Sequence, residues 1–156
     1  MKARRETPLA WRAAWRGRLD DRGSGAGAVI IFALVFMVLA AFVIDGGLAI
    51  SQRERAADIA EQAARYAAQD IDRAALYDES GGAAPINFGN CDARVRAFAR
   101  EQGMSEPDVA ASGCVTADAQ RVEAEIRLTY QPVLSGMLFG GQLTVHGRSV
   151  AESVAG

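Results

Sequence analysis

Charge is what this chain goes longest without: from Gly23 to Ile44, between Arg22 and Asp45, no side chain carries one. Histidine and cysteine are nearly as scarce, with His146 alone and only Cys91 and Cys114. A structural zinc site draws four ligands, and three such residues fall short of the usual His/Cys set. Nucleophile, metal and paired-carboxylate constellations at recognisable spacings are missing too. His146 sits in an alternating stretch without a partner, and Glu123 and Glu125 fall on the wet side of another. The reading is therefore of a protein that is not an enzyme, with no cofactor, metal or small-molecule substrate. Gly23-Ser24-Gly25-Ala26-Gly27-Ala28 has the spacing of a dinucleotide loop. It follows a charged tail instead of a strand and opens an apolar run instead of an amphipathic helix, so that reading is discarded.

What the sequence does hold is the apolar run itself. A helix rises about 1.5 Å per residue, so these roughly 22 residues reach about 30 Å, the thickness of a bilayer's hydrocarbon core. A secretory signal peptide is the competing reading, but its apolar region is usually about 7 to 15 residues. Small-x-small sites do occur, but one such as Ala26-Gly27-Ala28 lies at the start of the run instead of after it. Seven basic residues, Lys2, Arg4, Arg5, Arg12, Arg16, Arg18 and Arg22, precede the run against Glu6, Asp20 and Asp21. Basic flanks stay cytoplasmic, which predicts an inner N-terminus and an outer C-terminal domain. The whole chain has net charge −2, so the part after the run is acidic. Trp11 and Trp15 share a helical face beside Arg12 and Arg16, as in an interfacial segment on the inner leaflet. So short a basic tail beside a span reads as a topology signal and not as a nucleic-acid site.

Few residues are left for a globular domain, about 80 to 110, and so small a domain benefits from a covalent staple. Cys91 and Cys114 fall on the predicted outer side, where a disulfide is expected; closing that loop stabilises by about 3 to 4 kcal/mol in the chain-entropy model. Free buried thiols are the alternative if the topology is reversed.

Beyond Asp45-Gly46-Gly47 the pattern becomes amphipathic from about Leu48 to Ala75. Ala56, Ala60, Ala63, Ala67, Ile71 and Ala74 recur every three or four residues, with Arg53, Glu54, Asp58, Glu61, Arg65, Asp70 and Asp72 opposite. So shallow a stripe suits close approach of another helix, in a bundle or filament. The glycine pair either continues the helix or kinks it. Asp45 ends the run at the outer interface, with Arg53 or a neighbouring subunit as its expected ion-pair partner.

A loop over Asp78–Asn90 leads to a short helix over Asp92–Gln102, stopped by Gly103. A strand near Cys114 turns at Ala117–Gln120 into Arg121–Tyr130, where apolar and polar residues alternate strictly. A last strand over Gln142–Val154 changes phase at Gly147, which predicts a bulge there. Pro132–Phe139 is apolar for a connection and either covers the core or docks a partner. The fold class is α+β: a long N-terminal transmembrane helix continuing into an amphipathic helix, then a small antiparallel-sheet domain with a disulfide. The expected divisions are a basic tail (1–22), a transmembrane helix (23–47), a helical stalk (48–77) and an extracytoplasmic α+β domain (78–156).

Asp21-Arg22-Gly23-Ser24, the apolar run, Val43-Ile44-Asp45-Gly46-Gly47-Leu48-Ala49 and Arg53-Glu54-Arg55-Ala56-Ala57-Asp58 together resemble the TadE/TadG-like proteins of Flp-type, tight-adherence pilus systems, which are type IV pilin-like. The closing segment, Leu143-Thr144-Val145 through Val150-Ala151-Glu152, also looks similar. The resemblance implies a membrane-anchored pilus assembly or structural subunit, partnered by lipid and by other pilin-like subunits. It also implies a processing junction between Gly23 and Ser24; helix packing through the G-x-x-x-G pair Gly23 and Gly27 and through Ala56, Ala60, Ala63 and Ala67 is read from their spacing alone. Members cut by prepilin peptidase resemble one another in a Glu early in the apolar helix; here the fifth position after Gly23 is Ala28 and the run holds no Glu. An uncleaved, envelope-anchored accessory protein fits equally. A signal-anchored extracytoplasmic binding or sensor domain is the alternative from another class.

Overall fold

The structure is a computed structural model that describes residues 24–78 and 84–153. The basic tail with its tryptophans, Gly23, residues 79–83 of the expected loop and Val154 lie outside the described residues. The chain divides into two compact units, one reaching to Ala40 and the other running from Ala41 to Gly156.

One helix, α1 (Ser24–Ala68), holds all the described residues of the first unit and continues into the second. Gly46 and Gly47 do not interrupt it, although each costs a helix about 1 kcal/mol relative to alanine. In the first unit its apolar side chains, Phe32 and Phe36 among them, are exposed.

The second unit packs α1 from Ala56 onward against a three-stranded antiparallel sheet in the order β1-β2-β3. β1 (Gly113–Ala117) turns into β2 (Arg121–Tyr130) through Asp118, whose carboxylate accepts from the backbone N–H of Gln120 and Arg121 at 2.8 Å each. β3 is Leu143–Glu152. The alternation foreseen in β2 is realised, with Val122, Ala124, Ile126 and Leu128 buried on one face. Ala56, Ala60, Ala63 and Ala67 meet that face together with Val95, Ala99 and Val109.

Helix α1 ends at Ala68, earlier than the periodicity suggests. Two pairings claim the following backbone: the Asp72 N–H donates to the Pro85 carbonyl at 2.9 Å, and the Asn87 N–H to that of Asp70 at 2.7 Å. The Asp72 carboxylate then accepts from Ala74 and Ala75 and starts a separate helix, α2 (Arg73–Asp78). Helix α3 (Cys91–Glu101) matches the expected short helix, with Gly103 following at φ 71°.

Helix α4 (Glu106–Ala111) was not anticipated, although its signal is present. Ser105 caps it, with Asp108 three residues on returning the contact and Pro107 in its first turn.

The bulge expected at Gly147 is not there. β3 pairs with β2 without a break from Arg121↔Glu152 to Tyr130↔Leu143, and the irregularity falls instead in β1, between Cys114 and Thr116. Gly147 stays in phase, facing inward, where α1 crosses the sheet. A Cβ there would overlap the carbonyl group of Ala56 and the backbone nitrogen of Ala57. The phase change is therefore a real exposure of Val150 on the wet face, with Ser149 and Ala151 turned inward.

Candidate functional site

The apolar run has the length and composition to cross a membrane, and no part of its most apolar stretch is buried within the chain. Phe42, Val43 and Ile44 carry this exposed surface up to Asp45.

Asp45 makes the longest-range polar contact in the described residues. Its Oδ1 accepts from the backbone N–H of Val133 at 2.9 Å and of Leu134 at 3.0 Å, and its Oδ2 from that of Ser135 at 2.7 Å. These amides open the short helix α5 (Leu134–Phe139). First-turn amides of a helix have no partner within it, and Val133, in the capping position, has no side-chain oxygen to offer. Asp45, 88 to 90 residues earlier in the chain, supplies the missing acceptor, with its negative charge at the positive end of the α5 dipole.

Arg53 does not share in this. It lies eight residues beyond Asp45 on the same helix, about 12 Å along the axis, and the two form no ion pair among the described residues.

The alanine face is occupied by the chain's own domain. The close approach expected of a second helix is made by the sheet, at Gly147, and Ala56, Ala60 and Ala63 have no exposed surface left for another subunit. Gly27, by contrast, meets nothing within 4 Å of where a Cβ would stand. Tyr66 of α1 is held against α3, with its ring centroid 5.7 Å from that of Phe98 and the Arg94 guanidinium 4.7 Å above it.

The Cys91–Cys114 disulfide is formed and ties the start of α3 to β1, with Cα atoms 6.1 Å apart. The Asp92 carboxylate beside it accepts the Cys114 N–H at 2.8 Å.

On the outer sheet face Glu125 differs from the solvated residue expected. It is 6% exposed, covered by Arg127 at 2.8 Å, by Arg148 and by the His146 ring at 3.3 Å. The Arg127 hydrogen bond leads in holding its carboxyl down at about 2, helped by Arg148 and His146 and opposed by its burial. Alternation located Glu125 on this face, with Arg127 two residues along the same strand; that Arg148 and His146 also enclose it follows from the pairing of β2 with β3. This is a structural charge cluster, and among the described residues no group of His, Cys, Asp and Glu has metal-binding geometry.

The apolar connection covers the core only in part. Pro132 and Gly136 are buried, while Val133, Met137 and Phe139 face outward. No curated protein and no solved structure matches the chain. Residues 23–70, which hold the entire apolar run, Asp45, the glycine pair and the alanine face, match the model of the Flp pilus-assembly TadE/G-like family.

Proposed function

We propose that this protein is a membrane-anchored structural or assembly component of a Flp/Tad-type pilus or a related secretion apparatus, in the manner of a minor pseudopilin or accessory subunit. The observation that carries the reading is the coincidence of the family match with the exposed apolar helix and its junction to the sheet domain. The helix would anchor the chain with its basic end in the cytoplasm and its acidic, disulfide-stapled domain outside, facing lipid and other pilus subunits. The role is one of assembly and not of catalysis.

Gly23–Ser24 is the proposed processing junction. Because the alanine face is filled from within, contacts with other subunits would use the exposed first half of α1 and the outer surfaces of the domain. Intact mass and N-terminal sequencing of protein extracted from its native membrane test the processing. A start at Ser24 supports a pseudopilin that enters the filament, and a start at Met1 supports a permanently anchored accessory protein. Deletion of the gene should abolish surface filaments or adhesion. Retained filaments, with a domain that binds a soluble ligand, would transfer the argument to the sensor reading.

A further inference from the structure

Helix α5 leaves two large apolar side chains uncovered. Met137 is 82% exposed and Phe139 85%, on a segment that carries no charged side chain between Arg127 and His146. Single exposed apolar residues are ordinary, but two large ones on one six-residue helix are not accounted for by the domain's own packing.

The position of α5 supplies the explanation. Asp45 is the residue that closes the uncharged run, and its carboxylate grips the first turn of α5 through three amides. The first turn of α5 is thereby held at the residue that ends the run, directly after the exposed Phe42 and Val43 in the chain. If residues 23–44 fill the hydrocarbon core, Asp45 lies at the outer headgroup boundary and α5 lies there with it.

We infer that α5 is a second membrane contact, a short interfacial element that inserts Met137 and Phe139 among the outer-leaflet lipids beside the exit of the span. Apolar faces of interfacial helices settle about 5 to 10 Å into the headgroup and acyl boundary, a depth within reach of Met and Phe side chains. Phe42 and Val43, both exposed, stand just before Asp45 in the chain, and the lack of charge from 128 to 145 spares the segment the cost of desolvating a charge. Asp45 then acts as a joint that sets the domain's height over the membrane. The inference rests on the anchoring proposed above.

The test uses the full chain with Trp11 and Trp15 replaced by Phe, reconstituted in vesicles of phosphatidylcholine and phosphatidylglycerol whose acyl chains carry bromine at a shallow or a deep position. In three separate variants, Phe139→Trp reports α5, Met137→Trp repeats the report at a second exposed site, and Phe36→Trp reports the span. The expected result is that the Phe139→Trp protein loses most of its indole emission to shallow bromine and less to deep, with the opposite order for the Phe36→Trp protein. Quenching in the Phe36→Trp protein but in neither α5 variant, with water-like emission from both of these, would overturn the inference and leave the anchor standing. Quenching in none of the three would overturn the anchoring reading and the inference with it. Blue-shifted emission from the Phe139→Trp protein that bromine does not quench, and that reverts on dilution of the protein in lipid, would also overturn it, in favour of a second copy of the chain as the occupant.

Discussion

Gly147→Ala is the sharpest probe of how this domain is built. A methyl group at this position meets the carbonyl carbon and oxygen of Ala56 and the amide nitrogen of Ala57. These are backbone atoms of a helix and do not move aside by changing rotamer. The strand must bend or α1 must lift from the sheet, opening the contacts of Ala56 and Ala60 with it. Overpacking a core typically costs about 1 to 3 kcal/mol, and an obstacle made of backbone belongs at the upper end. In a domain of this size about 2 to 3 kcal/mol lowers the melting temperature by about 10 to 20 °C. The assay is thermal unfolding by circular dichroism of the full chain in detergent, under oxidising conditions. Two controls sharpen it. Gly46→Ala meets nothing within 4 Å and lies inside α1, so it should raise stability by up to about 1 kcal/mol. Ala56→Gly should not rescue Gly147→Ala, because it removes a Cβ and leaves the obstructing backbone. A Gly147→Ala protein melting within about 2 °C of the parent would refute the close crossing of α1 over β3.

Reduction of the disulfide, or the Cys91→Ser/Cys114→Ser protein, should lose about 3 to 4 kcal/mol in urea titration, the chain-entropy value for a loop of sequence separation 23. Glu125 is held at about 2 from an ordinary 4.5, so its charge adds stability that is fully present above pH 4.5 and lost as pH falls towards 2. Discounted for its solvent-exposed partners this is about 1 kcal/mol, and Glu125→Gln should flatten the stability profile across that window. Asp45→Ala should free the amides of Val133, Leu134 and Ser135, read as faster hydrogen exchange at those three positions and earlier proteolysis near Phe139, with the sheet's own exchange unchanged.

Much of this architecture is local and was legible as pattern. An uncharged run of spanning length, an alanine repeat at helical spacing and a strictly alternating strand each express one element's surroundings in its own residues. The same holds for the turn at Asp118 and the stop at Gly103. Helix α4 was legible too, in Ser105, Pro107 and Asp108, but it is short enough for its capping signal to pass unread. The Glu125 cluster was half visible: alternation placed the carboxylate, while its enclosure by Arg148 and His146 depended on how β3 pairs with β2.

The remaining decisions belong to contacts between residues far apart in the chain. An alanine stripe states that something must come close, and a sheet satisfies it as well as a helix does. Gly147 states that a Cβ is unwelcome, and only the crossing of α1 shows that the reason is steric and not a bulge. Asp45 advertises a charge at the end of an apolar run, but its partners lie 88 to 90 residues away and are backbone amides, which every non-proline residue possesses and no sequence pattern can single out. Side-chain chemistry set which faces of this protein are greasy, wet or small; the tertiary fold chose what each face meets, because packing and hydrogen bonding are satisfied in space, whatever the distance along the chain.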